Sequence, residues 1–420
     1  MLSWSSAIAS GFICLILTYV WNGLDTQKFL PDSCEHVESF LFQHVVGQEL
    51  ALQQLVDAVC THIHKSHPSK PLILSIHGPP GVGKTYSHTL LAKALYNRHP
   101  EQVLYCPGMD CRGAKVIYGL DFVQELKESQ LGAVRDAIVE HARSVQDPLI
   151  VIEEYDKLDC ASRGMLRQLF QNPEIANASL NRAIILLESN LGFSELEQMV
   201  LRVGKDKITP ESAEHTLRDL VFASWRRSAC EEYTDTLKLV SMIDFFLPFL
   251  PLQREQVETL MVKSIQGWAN ILWKEKSTQM EWDMDVVAFL ADKVDFDGPF
   301  PLEGGKQVAN IAIRYLARLV RTCPDARASH NNPSNPSESD MTASLIPVED
   351  GLDRCLPSPA SLASQLVQSK DDEGDKAPQW SLFVMCGPGG VQESLPVMKL
   401  VLLNGGLNIR WRHKKALAEK

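Results

Sequence analysis

The alternation of apolar runs and helical stretches between residues 41 and 321 predicts a parallel α/β sheet. Three short runs are almost wholly apolar and rich in leucine and β-branched residues, at Leu72–Ile76, Leu149–Ile152 and Ala183–Leu187. Such runs are typical of strands that are covered on both faces. After the first run, Tyr86–Tyr96 carries apolar residues at helical spacing, which predicts a helix packed against the sheet.

The C-terminal part of the same region favours helices alone. Apolar residues recur at helical spacing in three stretches, Gln256–Lys274, Asp285–Lys293 and Lys306–Leu319. We therefore expect an α/β subdomain over residues 25–240, followed by a small helical subdomain over residues 241–321.

The N-terminus is a hydrophobic segment, residues 1–24, without a charged side chain. Its apolar part, Ala7–Trp21, has the length of a secretory signal sequence or of a short single-pass anchor. A preceding basic region and an A-x-A-like cleavage site after Val20 are both missing, which favours an uncleaved anchor. A buried core helix is the remaining alternative. We expect entry into the secretory pathway and membrane association through residues 2–21.

The C-terminal region differs in composition from the rest of the chain. Residues 322–378 are rich in proline and serine, which predicts a flexible linker. The tail that follows, residues 379–420, contains two predicted short strands, Trp380–Cys386 and Val397–Leu403. Its basic end, Arg410–Lys415, is interpreted as a solvated tail, and the role of the whole tail stays open.

Composition limits the classes of protein to which the chain can belong. The 420 residues include 45% hydrophobic and 22% charged residues, which excludes wholesale disorder and a multi-span membrane protein. The length fits two or three domains. The 41 basic and 52 acidic residues give a formal net charge of −11, and without a basic face we expect no nucleic-acid partner. The 10 cysteines show no zinc-binding spacing and leave the redox compartment open.

The strongest chemical signal is a G-x-x-x-x-G-K-[ST] sequence between the first predicted strand and its helix. Glycines let the backbone approach phosphate oxygens closely, and a helix N-terminus favours anions. Lys84 would reach the β- and γ-phosphates, and the Thr85 hydroxyl would bind Mg²⁺. A plain glycine-rich turn is the alternative. The predicted phosphate-binding residues are Gly78, Pro79, Pro80, Gly81, Val82, Gly83, Lys84 and Thr85.

Two carboxylates, Glu153 and Glu154, follow the second predicted strand directly. This is the Walker B arrangement, although its first acid is ordinarily Asp. Glu153 would hold the metal, directly or through water, and Glu154 would orient and deprotonate the attacking water. The extra methylene group of Glu153 moves its carboxylate by about one bond length, which leaves the metal geometry open. The alternative is a strand that simply ends in solvent.

Asn190 follows the third predicted strand. If that strand lies between the other two, the Asn190 amide can hydrogen-bond the γ-phosphate and the attacking water. An asparagine in an ordinary turn is the alternative.

Together these elements resemble an AAA+ ATPase of the Clp/Hsp100 branch, and within that branch the chain is most similar to the torsins. The resemblance covers about residues 41–321, and its most discriminating stretch is close to the torsin sequence I-D-Y-F-V-P-F-L-P-L. That stretch is Ile243–Leu252. Val46-Gly-Gln48 matches the adenine-side box, Glu154-Tyr-Asp-Lys157 resembles the torsin D-E-M-D-K, and Leu187–Gly192 resembles the sensor 1 segment.

Three positions depart from the family pattern. Torsins usually carry Asn in place of Thr85, and they have G-C-K at sensor 2, where this chain has Gly304-Gly305-Lys306. Lys306 could still reach phosphate, but the cysteine is absent. Met242 stands where Clp proteins place an arginine finger, a cation worth about 10³–10⁵ in rate. The departures imply weak basal hydrolysis unless a partner supplies the arginine.

The resemblance implies an ATPase with ATP and Mg²⁺ as cofactors, Val46 beside the nucleotide, and Glu154, Asn190 and Lys306 as catalytic residues. It implies a homo- or hetero-oligomeric ring that acts on a protein substrate. A membrane-anchored activating cofactor would donate the missing arginine. The implied location is the endoplasmic reticulum lumen or nuclear envelope, in association with the membrane.

Two weaker features bear on the same interpretation. Residues Arg112–Asp121 correspond to the substrate-gripping pore loop of Clp proteins, and Tyr118 is the one aromatic residue there that could contact a threaded peptide. Packing is the commoner role of such an aromatic residue. Asn177-Ala-Ser179 is a glycosylation sequon and gives slight support for a lumenal location.

Two alternatives to a torsin-like remodelling ATPase remain. One is a nucleotide-binding scaffold with little or no hydrolysis, which Glu153, Met242 and the missing sensor 2 arginine favour. The other is a soluble Clp-like unfoldase, which the hydrophobic N-terminus and the absence of a second ATPase module disfavour.

Overall fold

The structure, a computed structural model, describes residues 27–103, 106, 111–118, 127–175, 178–228, 230, 232–317, 320–321, 343–345, 382–384, 394–403 and 406–415. These residues form two compact units. The first extends through Gln256 and includes the short segment Glu303–Gly305. The second comprises Val257–Leu302 and the described residues from Lys306 onwards.

The first unit is a parallel sheet with helices around it. Its strands are β1 (Leu72–His77), β2 (Ala114–Tyr118), β3 (Leu149–Glu153), β4 (Glu174–Ile175), β5 (Ala178–Ser179), β6 (Ile184–Ser189) and β7 (Phe245–Pro248). Five of them form one sheet in the order β2-β3-β6-β1-β7, and β4 and β5 form a separate hairpin. The helices are α1 (Ser33–His44), α2 (Glu49–Ile63), α3 (Lys84–Tyr96), α4 (Lys127–Ser144), α5 (Cys160–Gln171), α6 (Phe193–Val203), α7 (Pro210–Arg227) and α8 (Tyr233–Ser241).

The strand order brings three chain segments to the same edge of the sheet. Strand β6 lies between β1 and β3, and it pairs in parallel with both of them. Every residue of β1 and β6 is buried, as is expected for strands covered on both faces. Because the carboxyl ends of parallel strands share an edge, the segments that follow β1, β3 and β6 lie next to each other there.

The predicted parallel α/β sheet is confirmed, with small differences at the element ends. Each of the three predicted strands extends one or two residues further towards its carboxyl end, because the parallel ladder continues to His77, Glu153 and Ser189. The predicted helix Tyr86–Tyr96 begins two residues earlier, at Lys84.

The segment that resembles a pore loop is largely a strand. Residues 114–118, in the sequence Ala-Lys-Val-Ile-Tyr, form β2 at the edge of the sheet and pair with β3. The β-branched residues at 116 and 117 favour this extended conformation. Tyr118 ends the strand and is exposed, and residues 119–121 lie outside the described part of the chain.

The second unit has a helical core and a sheet. Its remaining elements are α9 (Arg254–Lys276, whose first three residues belong to the first unit), β8 (Gln279–Trp282), α10 (Met284–Ala291), β9 (Phe296–Asp297), β10 (Phe300–Pro301) and α11 (Gly305–Ala312). The fully buried Val257, Met261 and Ile265 recur every four residues along α9. The predicted helices are thus present, but the third ends at Ala312 and continues as a π-helical turn over Ile313–Ala317.

The C-terminal tail is more ordered than its sequence predicts. Strands β11 (Ala343–Leu345), β12 (Leu382–Val384), β13 (Ser394–Leu403) and β14 (Gly406–Lys415) form a sheet in the order β11-β12-β14-β13-β8. The basic stretch Arg410–Lys415, interpreted from the sequence as a solvated tail, belongs to β14 and pairs antiparallel with β13. Strand β11 likewise lies inside the predicted linker; the rest of residues 322–378 is outside the described part of the chain.

The predicted hydrophobic segment, residues 1–24, also lies outside the described residues. Among the helices that the structure describes, each is too short or too polar to cross a membrane.

Candidate functional site

The loop between β1 and α3 has a backbone that requires glycine. Gly78, Gly81 and Gly83 have φ angles of 155°, 76° and 105°, in the region that side chains disfavour. A Cβ atom on Gly78 would lie 2.2 Å from the carbonyl oxygen of Phe249. The glycine spacing therefore reflects both the turn conformation and close contact with the segment after β7.

The loop leads into a helix whose N-terminus has no side-chain cap. Gly83 is the N-cap residue of α3, and the first turn contains no acidic residue. The N–H groups of a first helical turn have no partner within the helix, and the helix dipole attracts anions to them. An uncapped N-terminus of a 13-residue helix behind a glycine loop fits a phosphate group.

Lys84 connects this loop to the end of β6. Its side chain is buried, and its Nζ donates hydrogen bonds to the carbonyl oxygens of Gly78 and Pro79, each at 2.9 Å. It also donates to Oδ1 of Asn190 at 2.8 Å. The lysine of the loop and the asparagine after β6 therefore meet, as their places in the sheet require.

Glu154, which follows β3 directly, has a strained backbone. Its φ and ψ angles are 53° and 40°, which is the left-handed helical region and unusual for glutamate. Its backbone oxygen accepts a hydrogen bond from the N–H of Lys157 at 2.9 Å, which holds this turn. Such strain is concentrated at functional sites. Because Glu153 pairs with Glu188 across the sheet, Glu154 follows at the level of the β6 end that leads to Asn190.

Two residues that the sequence interpretation did not include lie beside Thr85 and Glu153. The Thr85 hydroxyl donates to Oε1 of Glu188, the fifth residue of β6, at 2.9 Å. Nε2 of His88 lies 3.0 Å from Oε1 of Glu153 and 3.4 Å from Oε2 of Glu188. Thr85, His88, Glu153 and Glu188 thus form one polar cluster at the sheet edge.

The electrostatic environment of His88 is set by the two carboxylates. Burial lowers the pKa of this imidazole, but its hydrogen bonds to the carboxylates of Glu153 and Glu188 raise it, and the net direction is upward. The side chains of His88, Glu153 and Glu188 are 3%, 15% and 11% exposed, so water screens these interactions little.

A sequence signal for this cluster exists. Lys84 and His88 are four residues apart on one helix and therefore point to the same face. Glu188 interrupts an otherwise apolar strand at the same level as Glu153 in the neighbouring strand. To predict that these residues lie together, one needs the register between β3 and β6 as well as the two strands themselves.

A second buried network links β1 with the turns after β3 and β6. Nδ1 of His77 lies 3.0 Å from the carbonyl oxygen of Leu191, so this nitrogen carries the proton. Nε2 then accepts from the Ser75 hydroxyl at 2.7 Å, and the Tyr155 hydroxyl lies 2.9 Å from the same Ser75 oxygen. Burial lowers the pKa of His77 to about 4 and raises that of Tyr155. The network therefore requires a neutral imidazole.

The predicted adenine-side residues lie close to the loop. The side chain of Gln48 donates to the carbonyl oxygens of Val82 and Leu250 at 3.3 and 2.8 Å, and its Oε1 accepts from the Leu250 N–H at 2.8 Å. Gln48 thereby joins three segments of the first unit. Val46, two residues earlier, is half-buried.

The roles predicted for Lys306, Met242 and Asn177 stay predictions. Lys306 is exposed in the first turn of α11, in the second unit. Met242 is half-buried at the C-terminus of α8. Asn177 lies outside the described residues.

The six cysteines in the described part of the chain form three disulfide bonds. Cys34 on α1 pairs with Cys60 on α2, Cys106 pairs with Cys111, and Cys160 on α5 pairs with Cys230. The sequence left this pairing open. Disulfides persist mainly in oxidising compartments.

Two family models match this chain. The model described as Torsin matches residues 22–103, and the model described as AAA domain matches residues 66–190. The second match includes the glycine loop, Glu153, Glu154 and Asn190.

Curated relatives with torsin names are similar to this chain. A torsin-like protein of Drosophila melanogaster is 26% identical over 247 residues, which are 57% of this chain and 69% of that protein. A torsin-like protein of Caenorhabditis elegans is 26% identical over 221 residues, 51% of this chain and 58% of that protein. Torsin-3A of Rattus norvegicus is 28% identical over 244 residues, 55% of this chain and 58% of that protein.

Proposed function

We propose that this chain, which is similar to torsins and matches an AAA-domain model, is an ATPase that binds ATP with Mg²⁺ at the carboxyl edge of the parallel sheet and hydrolyses it to remodel a protein partner. The single observation that carries the proposal is the hydrogen bond from Lys84 to Asn190. It joins the phosphate-binding loop to the position from which an amide can orient the attacking water.

Lys84 and the uncapped start of α3 are the groups proposed to hold the phosphates. In the structure, Lys84 donates to two loop carbonyls and to Asn190, so its ammonium group already lies within the loop. Phosphate oxygens would replace carbonyl acceptors around Nζ, and the first-turn N–H groups would bind the remaining charge. The glycines leave this space free of side chains.

Glu154 is proposed as the general base. It follows β3 directly at the carboxyl edge of the sheet, and a carboxylate in hydrogen-bond reach of water can accept the proton released during attack. Asn190 would hold the same water from the neighbouring strand. Mg²⁺, when bound, would neutralise charge that develops on the phosphates. Its proposed ligands, Thr85 and Glu153, lie in the polar cluster, whose oxygen donors fit this ion.

The arginine that completes AAA+ sites is proposed to come from a partner. Met242 stands at the corresponding position of this chain, and methionine carries no charge. We propose that a membrane-anchored cofactor supplies the cation within a homo- or hetero-oligomeric ring. Hydrolysis by the isolated chain would accordingly be slow.

The proposed location is the lumen of the endoplasmic reticulum or nuclear envelope. It is supported by three disulfide bonds among the described cysteines and by the apolar sequence of residues 1–24. The protein partner, the membrane attachment and the ring belong to the same proposal.

A nucleotide-binding scaffold with little hydrolysis is the second candidate function. It is favoured by one specific observation, the contact of Glu153 with His88, because it occupies a carboxylate that would otherwise face the metal. The two candidates share ATP binding and differ in turnover.

The test measures ATP binding and phosphate release with the purified full-length chain. Wild type and Glu154→Gln should bind a fluorescent ATP analogue, whereas Lys84→Ala should not. Phosphate release is then measured with each candidate membrane partner. Stimulation by a partner, lost in Glu154→Gln, supports the ATPase; binding without release in the presence of every partner supports the scaffold; absence of binding by wild type contradicts both.

A further inference from the structure

The polar cluster contains a set of three metal donors, of which only Glu153 belongs to the proposed nucleotide site. His88 offers Nε2, and Glu153 and Glu188 each offer a carboxylate oxygen, with all three donor atoms within 4.8 Å of one another. The donors come from α3, β3 and β6, three elements of the first unit. We propose that His88, Glu153 and Glu188 form a site for a divalent transition-metal ion that is occupied without nucleotide.

The distances between the donors support the inference. Two ligands at bond lengths of about 2.1 Å, separated by 90–110° at the metal, are about 3.0 to 3.4 Å apart. Nε2 of His88 lies 3.0 Å from Oε1 of Glu153 and 3.4 Å from Oε2 of Glu188. These two donor pairs therefore have the spacing of ligands on one ion, and all three donor atoms lie within 4.8 Å of one another.

The charge around the site also favours a cation. Glu153 and Glu188 are mostly buried, and among the described residues neither forms an ion pair with a lysine or an arginine. Their described side-chain partners are His88 and the Thr85 hydroxyl. Buried carboxylates without a permanent positive partner are costly, and a divalent ion compensates both.

The donor set selects the class of ion. One imidazole nitrogen with two carboxylates suits Mn²⁺, Zn²⁺ or Fe²⁺, since imidazole is a good ligand for Zn²⁺ and Fe²⁺ and carboxylates are good ligands for Mn²⁺. Mg²⁺ prefers oxygen ligands and keeps several of its waters. The inference thus differs from the proposed Mg²⁺ at the nucleotide, although the two share Glu153.

The burial of His88 makes the site a built feature rather than a surface contact. Its side chain is 3% exposed, and its ring lies four residues after Lys84 on the same face of α3. A histidine on an exposed helix face can bind metal ions from solvent without other ligands. His88 is buried beside Glu153 and Glu188, so an ion that binds it also lies beside these two carboxylates.

The test uses Mn²⁺ alone, with nucleotide-free full-length protein. Electron paramagnetic resonance counts free Mn²⁺ during a titration, and electron spin echo modulation detects a directly bound imidazole nitrogen. Wild type should bind one Mn²⁺ per chain with nitrogen modulation. His88→Ser should weaken binding at least about tenfold and abolish that modulation.

Two further variants control for folding and for other histidines. Glu188→Gln keeps the shape of the side chain and should also weaken Mn²⁺ binding, whereas the exposed His215→Ser should bind like wild type. Wild-type binding without nitrogen modulation, or equal binding by wild type, His88→Ser and Glu188→Gln, would overturn the inference. Binding of the ATP analogue by the same preparations shows separately whether the nucleotide site is intact.

Discussion

Nζ of Lys84 lies 2.8 Å from Oδ1 of Asn190, although 106 residues separate them in the chain. The contact exists because β6 inserts between β1 and β3, so that the turn after β6 lies next to the glycine loop after β1. A sheet in chain order would place these two residues on strands that are not neighbours. The contact between Lys84 and Asn190 therefore depends on this strand order.

Asn190→Ala should slow hydrolysis while leaving most of the ATP affinity. Lys84 keeps its two carbonyl acceptors, but the attacking water loses an orienting amide, and we expect at least about a tenfold lower rate. Single-turnover phosphate release with excess protein measures this. The control is Asn97→Ala at the C-terminus of α3, which should hydrolyse like wild type. Equal rates for both variants would remove Asn190 from the mechanism.

Glu154→Gln should separate binding from hydrolysis. The substitution keeps the size of the side chain but removes its basicity, so we expect ATP affinity within a few fold of wild type and about a 10²-fold or larger loss of hydrolysis. Binding is measured by fluorescence and turnover by phosphate release. Glu195→Gln, in the first turn of α6, is the control. A Glu154→Gln protein that hydrolyses at the wild-type rate would show that another group accepts the proton.

His77 should make the free energy of unfolding depend on pH. Burial lowers its pKa from 6.5 to about 4 in the folded chain, so between these values the unfolded state binds more protons. The resulting destabilisation is absent above pH 6.5, grows as the pH falls, and stops growing below about pH 4. Between pH 7 and pH 5 it amounts to about 2 kcal/mol.

His77→Gln removes this titration, so the difference in unfolding free energy between pH 7 and pH 5 should shrink by about that amount. Urea denaturation at both values measures it. His215→Gln, on the exposed face of α7, should retain the wild-type difference. An unchanged difference in His77→Gln would mean that His77 does not remain neutral in the folded protein.

The disulfide between Cys160 and Cys230 should stabilise the first unit. It joins residues separated by 70 positions, and closing a loop of that length in the unfolded chain contributes about 2–4 kcal/mol. A double variant, Cys160→Ser with Cys230→Ser, should lose that amount in urea denaturation without reductant. The corresponding variant of Cys106 and Cys111, which are 5 positions apart, should lose less. Equal losses would contradict the loop-length argument.

The sheet could be predicted because its central strands are buried on both faces. Runs such as Leu149–Ile152 then consist of apolar residues, and no other arrangement would suit them as well. The glycine loop could also be predicted, because positive φ angles at three positions require glycines at a fixed spacing. The strand at the end of the tail could not be predicted. Arg410–Lys415 is polar and charged, and its pairing with β13 is a long-range contact that local composition does not encode.

The polar cluster around His88 could not be predicted from single sequence motifs. Glu188 has no meaning in the sequence until the register of β3 and β6 aligns it with Glu153. His88 likewise has no predicted role until it is known which face of α3 packs against the sheet edge. Tyr155 and His77 form their network through Ser75 for the same reason, because three separate elements supply its members.

The most direct test of the account is the ATP affinity of Lys84→Ala relative to wild type, with Lys93→Ala as control. Both lysines lie on α3, but Lys93 donates to the carbonyl oxygen of Val103, at the other end of the helix. A titration with a fluorescent ATP analogue in the presence of Mg²⁺ should give saturable binding for wild type and Lys93→Ala, and at least about a 10²-fold weaker affinity for Lys84→Ala. Equal affinity of all three proteins, or no binding by wild type, would contradict a nucleotide site at this loop.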